Sequence, residues 1–405
     1  MIGCVARQPI YDLKKNVYGY ELLYRQRMDS VAYDGVDGNV STKQLLVVAF
    51  SSIGIEQITG GHKAFVNFTE DLLLDDVPFM LSNDVLVIEI LEDVQPTPKV
   101  ISVCRRLREN GYLIALDDFV YRPGMEGLID VADIIKIDIL NNTRKAVEGF
   151  IRRINRKRRK ILLAEKVETV SDFEWAKAMG FSLFQGYWFS KPEIQSSKQV
   201  APMKLTQLQL LRVLYAAELD FAKVSRIVER DVVLTYRLLR IVNSAYYGLK
   251  YSVTGVMHAL TLLGTTDLRK WLSFIVLNQM NEERSGELVM MALIRGLFME
   301  QVAEHTKCGR RNRDECFLIG LFSLADVILE APMEAILDVS HFQAVVVNTL
   351  LGKPSIYADY LQIILYYEDA HWEEALELAG KYNMDEATVV NYYVNAVVDA
   401  NTLLE

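Results

Sequence analysis

The chain has 405 residues, 51% of them hydrophobic and 24% charged, with a formal net charge of −9. That length exceeds one ordinary core and predicts two domains; the composition is that of a globular protein, and the acidic balance argues against binding to nucleic-acid polymers. No uncharged apolar run of about 18 residues is present, and MIGCVARQPI lacks the apolar centre of a signal peptide, so a cytoplasmic protein with no membrane partner is expected.

In chain order, VARQPI and VYGYELLYR flank the turn-like YDLKKN and read as an antiparallel hairpin. Apolar, β-branched runs follow at 64–68, 84–90, 112–117, 133–138, 161–165 and 182–185, separated by helical stretches such as TPKVISVCRRLREN and TVSDFEWAKAMG. Strands that are apolar on both faces and alternate with helices imply a parallel sheet covered by helices. With the hairpin the strand count approaches that of a closed, TIM-like α/β barrel. The basic run IRRINRKRRK, 151–160, reads as a solvated helix face or a phosphate- or membrane-facing patch, and no role is assigned to it. The cysteines at 4, 104, 308 and 316 are scattered and read as free thiols.

The polar stretch EIQSSKQVAPMK marks a change of pattern, and residues 194–203 are taken as a linker between domains at 1–193 and 204–405. Beyond it LTQLQLLRVLYAAEL, VSRIVERDVVLTYRLLRIVNSA and DEATVVNYYVNAVVDANTLL place apolar residues at three- and four-residue steps, which predicts an all-α domain.

Polar residues interrupt the ends of the first domain's strands: Glu21, Asn67, Glu89, Asp117 with Asp118, Lys136, Glu165 and Gln185. In a β/α barrel those ends converge on one mouth, where active sites of this architecture are built. Five carboxylates and an amide oxygen form an all-oxygen set suited to Mg²⁺ or Mn²⁺, and the absence of nearby His and Cys disfavours zinc. The adjacent Asp117 and Asp118 could serve two metals, which would activate a water for displacement at phosphorus, with Lys136 orienting that water or stabilising phosphoryl charge. Taken singly, a carboxylate at a strand end is more often a helix cap or a salt-bridge partner. Asp138 could pair with Lys136, Glu168 could favour a helix dipole, and Asn67 could form an Asx-turn.

The ordered motifs YELLYR, VNFTEDLL, IEILED, LDDF, IIKID, AEKVET and QGYWFSKP resemble the EAL domain, a family that hydrolyses the bacterial second messenger cyclic di-GMP. The resemblance implies a barrel whose first strand runs antiparallel to the others. It implies Glu21, Asn67, Glu89, Asp117, Asp118 and Glu165 as ligands of Mg²⁺ or Mn²⁺, and Lys136 beside the attacking water. Glu168, Asp138 and Gln185 would be supporting polar groups, and Arg25 a contact to the ligand's phosphate. The product would be the linear dinucleotide pGpG, and a homodimer is a further expectation.

The sequence departs from the family at Phe119-Val120-Tyr121-Arg122-Pro123, where the family has a small, flexible loop, and at Lys166, where it has glycine. These departures keep open an inactive cyclic di-GMP receptor or a ligand-free scaffold. In the second half, VVLTYRLLRIVNSAYYG and MHALTLLGTTDLRKW resemble the HDOD domain, a helical relative of HD phosphohydrolases. Ser323 and Leu324 stand where an active relative would carry its metal-binding His-Asp pair, so this half is expected to bind a protein partner and do no chemistry.

Overall fold

A computed structural model describes residues 4–25, 55–154, 160–186, 210–211, 213–216, 218–244, 247–279, 286–306, 312–329, 331–340 and 342–404. The chain divides into two compact units, Met1–Ser190 and Lys191–Glu405. The predicted linker at 194–203 lies outside the described residues, as do residues 155–159 of the basic run.

The first unit is a closed barrel of eight strands in sequence order: β1 Cys4–Asp12, β2 Val17–Arg25, β3 Lys63–Phe68, β4 Leu86–Ile90, β5 Leu113–Leu116, β6 Ile134–Asp138, β7 Ile161–Glu165 and β8 Leu183–Phe184. β1 is antiparallel to both neighbours, β2 and β8, while β2 to β8 run parallel. The first turn is fixed by Asp12, whose Oδ1 accepts from the backbone N–H groups of Lys14 and Asn16 at 2.8 Å each. That is the Asx geometry that makes aspartate a turn residue.

Side chains alternate across each strand, and two layers result. Ile10, Phe65, Val87, Ala115, Ile134, Leu163 and Leu183 fill the barrel interior. Their outward neighbours, among them Val66, Ile88, Ile114, Ile135, Leu162 and Phe184, pack beneath the surrounding helices. Helix starts follow local chemistry: Thr97 precedes Pro98 and accepts from Val100 N–H, and Thr169 accepts from Asp172 N–H.

The second unit is helical throughout its described elements. The apolar run from 224 to 244 is two helices, α1 Phe221–Glu229 and α2 Val232–Val242, because Asp231 caps the second by accepting from Val233 and Leu234 N–H. The helical stretch Val256–Gln279 breaks at Gly264, whose φ of +66° only glycine adopts freely. Helices α3 Glu287–His305 and α4 Arg313–Phe322 cross closely, since a Cβ at Gly320 would lie 2.5 Å from the Arg295 carbonyl. Among the described residues no helix is long and apolar enough to cross a membrane.

Candidate active site

The site sits one pleat above the interior apolar layer. Stepping two residues along each strand turns Phe65 into Asn67, Val87 into Glu89, Ala115 into Asp117, Ile134 into Lys136, Leu163 into Glu165 and Leu183 into Gln185. A period-2 chain keeps both members of each pair inside, so the polar ring is a direct product of strand geometry. Glu21 joins it from β2, where it pairs in register with Phe65.

Lys136 is the centre of this ring. Its Nζ lies 2.6 Å from Asp117 Oδ1, 2.8 Å from Glu89 Oε1, 3.0 Å from Glu165 Oε1 and 3.2 Å from Glu21 Oε2. Lys136 and Glu89 are fully buried, and such groups persist only when paired. Gln185 Nε2 donates to Glu21 Oε2 at 2.9 Å and to Gln8 Oε1 at 3.1 Å, and Asn67 also donates to Glu21.

These contacts divide the carboxylates. Burial alone would raise Glu21, yet Lys136 and the hydrogen bonds from Gln185 and Asn67 hold it below its usual range. Burial outweighs Lys136 at Glu89, which is pushed well up, and at Asp117, which is raised as well. Burial likewise pushes Glu165 up to about 8. The four carboxylates in turn overcome the burial of Lys136 and raise it well above an ordinary lysine.

Other predicted residues lie around this hub. Asp118 is exposed, beside a cavity of about 110 Å³ bounded by Glu92, Asp117 and Arg122. Its φ of +39° places it in a one-residue bulge. Asp117 N–H donates to Ile90 O on one side of it and Phe119 N–H to Lys136 O on the other. Asp138 does not pair with Lys136. Its Oδ1 accepts from Leu140 and Asn141 N–H at 2.8 Å each, and its Oδ2 accepts from Lys166 Nζ at 2.5 Å. Lys166 therefore belongs to the rim, a place the sequence reading did not give it. Glu168 is exposed beyond β7, and the Arg25 side chain lies outside the described residues.

The strands carrying Glu165 and Gln185 are held together just above the sheet. Val167 N–H donates to Gln185 O at 3.0 Å, and the next residue, Gly186, has φ +150° with its would-be Cβ 2.3 Å from Val167 N. No other residue fits there.

The donor set is all oxygen, and Glu89 Oε2, Glu165 Oε2 and Gln185 Oε1 are buried with no hydrogen-bond partner among the described residues. Orphaned buried carboxylate oxygens of this kind fit a hard divalent cation. Among the described residues no three Asp, Glu, His or Cys side chains are already closed around a shared ion position; the oxygens converge on the Lys136 ammonium.

Among the described residues of the helical unit no three Asp, Glu, His or Cys side chains gather around an ion position. Ser323 donates to Gly320 O at 2.7 Å and accepts from Arg295 Nη1 at 3.1 Å. Arg295 forks onto Glu368 Oε2 at 2.6 and 2.8 Å. Leu324 is buried and apolar.

Fold and site together define a β/α-barrel protein with an acidic, lysine-centred mouth, followed by a helical unit. An EAL domain model matches residues 43–192 and an HDOD domain model residues 201–335. The chain is 36% identical over 391 residues to the uncharacterized protein YuxH of Bacillus subtilis, covering 95% of each. It is 36% identical over 335 residues to the cyclic di-GMP phosphodiesterase CdgJ of Vibrio cholerae, covering 82% of this chain and 77% of that one. A solved EAL domain protein from Listeria monocytogenes is similar at 22% identity and a TM-score of 0.38, over 47% of this chain and 87% of that one. The chain belongs to the family of proteins that join an EAL domain to an HDOD domain.

Proposed function

We propose that the barrel binds cyclic di-GMP and hydrolyses it to linear pGpG with Mg²⁺ or Mn²⁺, and that the helical unit is a protein-docking output module. The observation that carries this reading is the ring of Glu21, Asn67, Glu89, Asp117 and Glu165 with its orphaned oxygens, at the strand ends where barrel chemistry resides. The activity named for the Vibrio cholerae relative points the same way.

Glu21, Asn67, Glu89, Asp117 and Glu165 would hold one ion, with Asp117 and Asp118 facing a second. Ions held there would supply an activated water and neutralise charge on the phosphoryl oxygens. Water adds to phosphorus as the P–O3′ bond breaks, and the ester oxygen leaves with a proton. Lys136 donates to the attacking water or a phosphoryl oxygen as charge develops, which a buried ammonium does well because no solvent screens it. Gln185 and Asn67 keep Glu21 ionised and oriented. Asp138, braced by Lys166 and the 140–141 amides, fixes the loop after β6, while Glu168 would be a supporting polar group and Arg25 would contact the phosphate of the substrate.

A second reading, a receptor without turnover, is favoured by the segment after Asp118. Phe119 stacks on Phe150 at 4.9 Å, and Arg153 lies 4.4 Å over the Tyr121 ring. Tyr121 also donates to Glu126 at 2.8 Å. A segment pinned in this way holds Asp118 in one place, which suits binding whether or not turnover follows.

Incubating the full chain with cyclic di-GMP and Mn²⁺, then resolving the nucleotides, decides between the readings. Hydrolysis predicts pGpG, lost by at least about a hundredfold in Glu21→Ala. Binding without product leaves the receptor, and neither outcome leaves only a scaffold.

A further inference from the structure

We propose that the Lys136 ammonium is the built-in cation of the barrel mouth and must withdraw from the carboxylate ring for a divalent ion to enter, so that metal loading and the freeing of Lys136 are one event. The proposal rests on the reading above that the ring binds metal.

The geometry is specific to a cation site. An ammonium has three N–H donors, yet Nζ faces four carboxylates contributed by β2, β4, the end of β5 and β7, all within 3.2 Å. It occupies the point on which the oxygens converge, and no open ion position exists beside it among the described residues. Mg²⁺ requires oxygens at about 2.0–2.1 Å. To take Glu21, Glu89, Asp117 and Glu165 together it must stand where Nζ stands, and two cations cannot share that centre.

Lysine suits the displacement. Its charge rides on a flexible four-carbon stem, so Nζ can swing while its backbone stays in β6. Gln185 supplies an acceptor next to the hub: its Nε2 and Lys136 Nζ donate to the same Glu21 oxygen, and its Oε1 has no partner among the described residues. Once out of the ring, the ammonium has donors to spare for a phosphoryl oxygen. The same residue thus opposes metal binding in the resting protein and serves substrate after loading.

Two measurements on the chelator-treated full chain test this. In ¹H–¹⁵N spectra of lysine side chains, with the Lys136 signal assigned by its loss in Lys136→Arg, Mg²⁺ is expected to move that signal to a new position. By calorimetry at about pH 8.5, where proton competition for the ring is weakest, Lys136→Met is expected to bind Mn²⁺ about tenfold more tightly than wild type, because a competing cation has been removed.

A Lys136 signal unmoved at saturating Mg²⁺ overturns the proposal, as does equal or weaker Mn²⁺ binding by folded Lys136→Met; in both cases wild-type metal binding survives, and with it the functional reading. Should Lys136→Met fail to fold, the wild-type spectra alone decide. No binding of Mn²⁺ or Mg²⁺ by wild type overturns both.

Discussion

Lys136 Nζ lies 2.6 Å from Asp117 Oδ1, two strand ends brought together across the β5–β6 ladder. That contact ties the second residue of a barrel layer to the first of the two adjacent aspartates. It makes the electrostatics of the mouth a property of the ring as a whole, since every carboxylate facing Nζ changes the others.

The ring predicts a pH dependence for the metal-free protein. Burial, then the Asp117 and Glu21 charges, outweigh Lys136 and push Glu165 up to about 8. An unfolded-chain glutamate titrates near ~4.3, so the folded state retains a proton that the unfolded chain releases. Stability from this group is complete below the unfolded value and is lost as pH rises through the folded one. Chelator-treated protein should therefore melt lower at about pH 8.5 than at about pH 6.5, and added Mn²⁺ should raise the melting temperature more at the higher pH. Calorimetric scans in matched buffers check this.

Gly186→Ala should destabilise the barrel by about 2 kcal/mol or more, because the new methyl meets the Val167 backbone in a φ region closed to side chains. Urea unfolding followed by barrel tryptophan fluorescence measures the loss. A shift within error would mean that the β7–β8 contact is not fixed as described.

Glu126 clamps the segment after Asp118 by accepting from Tyr121 and from Gly124 N–H. The pair is solvent-exposed, so Glu126→Ala should cost only about 1 kcal/mol of stability. On the role proposed for Asp118, it should weaken Mn²⁺ binding by about tenfold, since small misplacements of a ligand are expensive. Mn²⁺ titration against Tyr121→Phe, which loses one of the two bonds, should give an intermediate value.

In the helical unit, Arg295→Met takes the guanidinium away from the part-buried Glu368. The cost should be about 2 kcal/mol, the loss of a charge-assisted hydrogen-bonded pair. Denaturant unfolding should show it as earlier loss of helical signal.

Much of this was legible in the sequence because strand period and barrel topology are local rules. Every predicted strand is present, β1 is antiparallel, and the residues two steps beyond Phe65, Val87, Ala115, Leu163 and Leu183 form one ring. What the sequence could not display was who pairs with whom. Lys136 reads in the sequence as one polar group among several at the strand ends, and only the closed barrel brings carboxylates from β2, β4, the end of β5 and β7 to face it. Asp138 and Lys166 are 28 residues apart and meet only because β6 and β7 are neighbours with Asp138 opposite Glu165. Arg295 and Glu368, 73 residues apart, meet through helix packing that no periodicity encodes. The Asp231 cap was legible in principle, as an N-cap residue just ahead of an apolar turn, but the continuous apolar period on both sides masked it.

The most direct test of the central claim is anomalous diffraction at the manganese edge from crystals of the full chain grown with Mn²⁺. The expected result is a peak enclosed by Glu21, Asn67, Glu89, Asp117 and Glu165 at the barrel mouth. Saturating Mn²⁺ with no peak there, or with manganese only elsewhere, would contradict it.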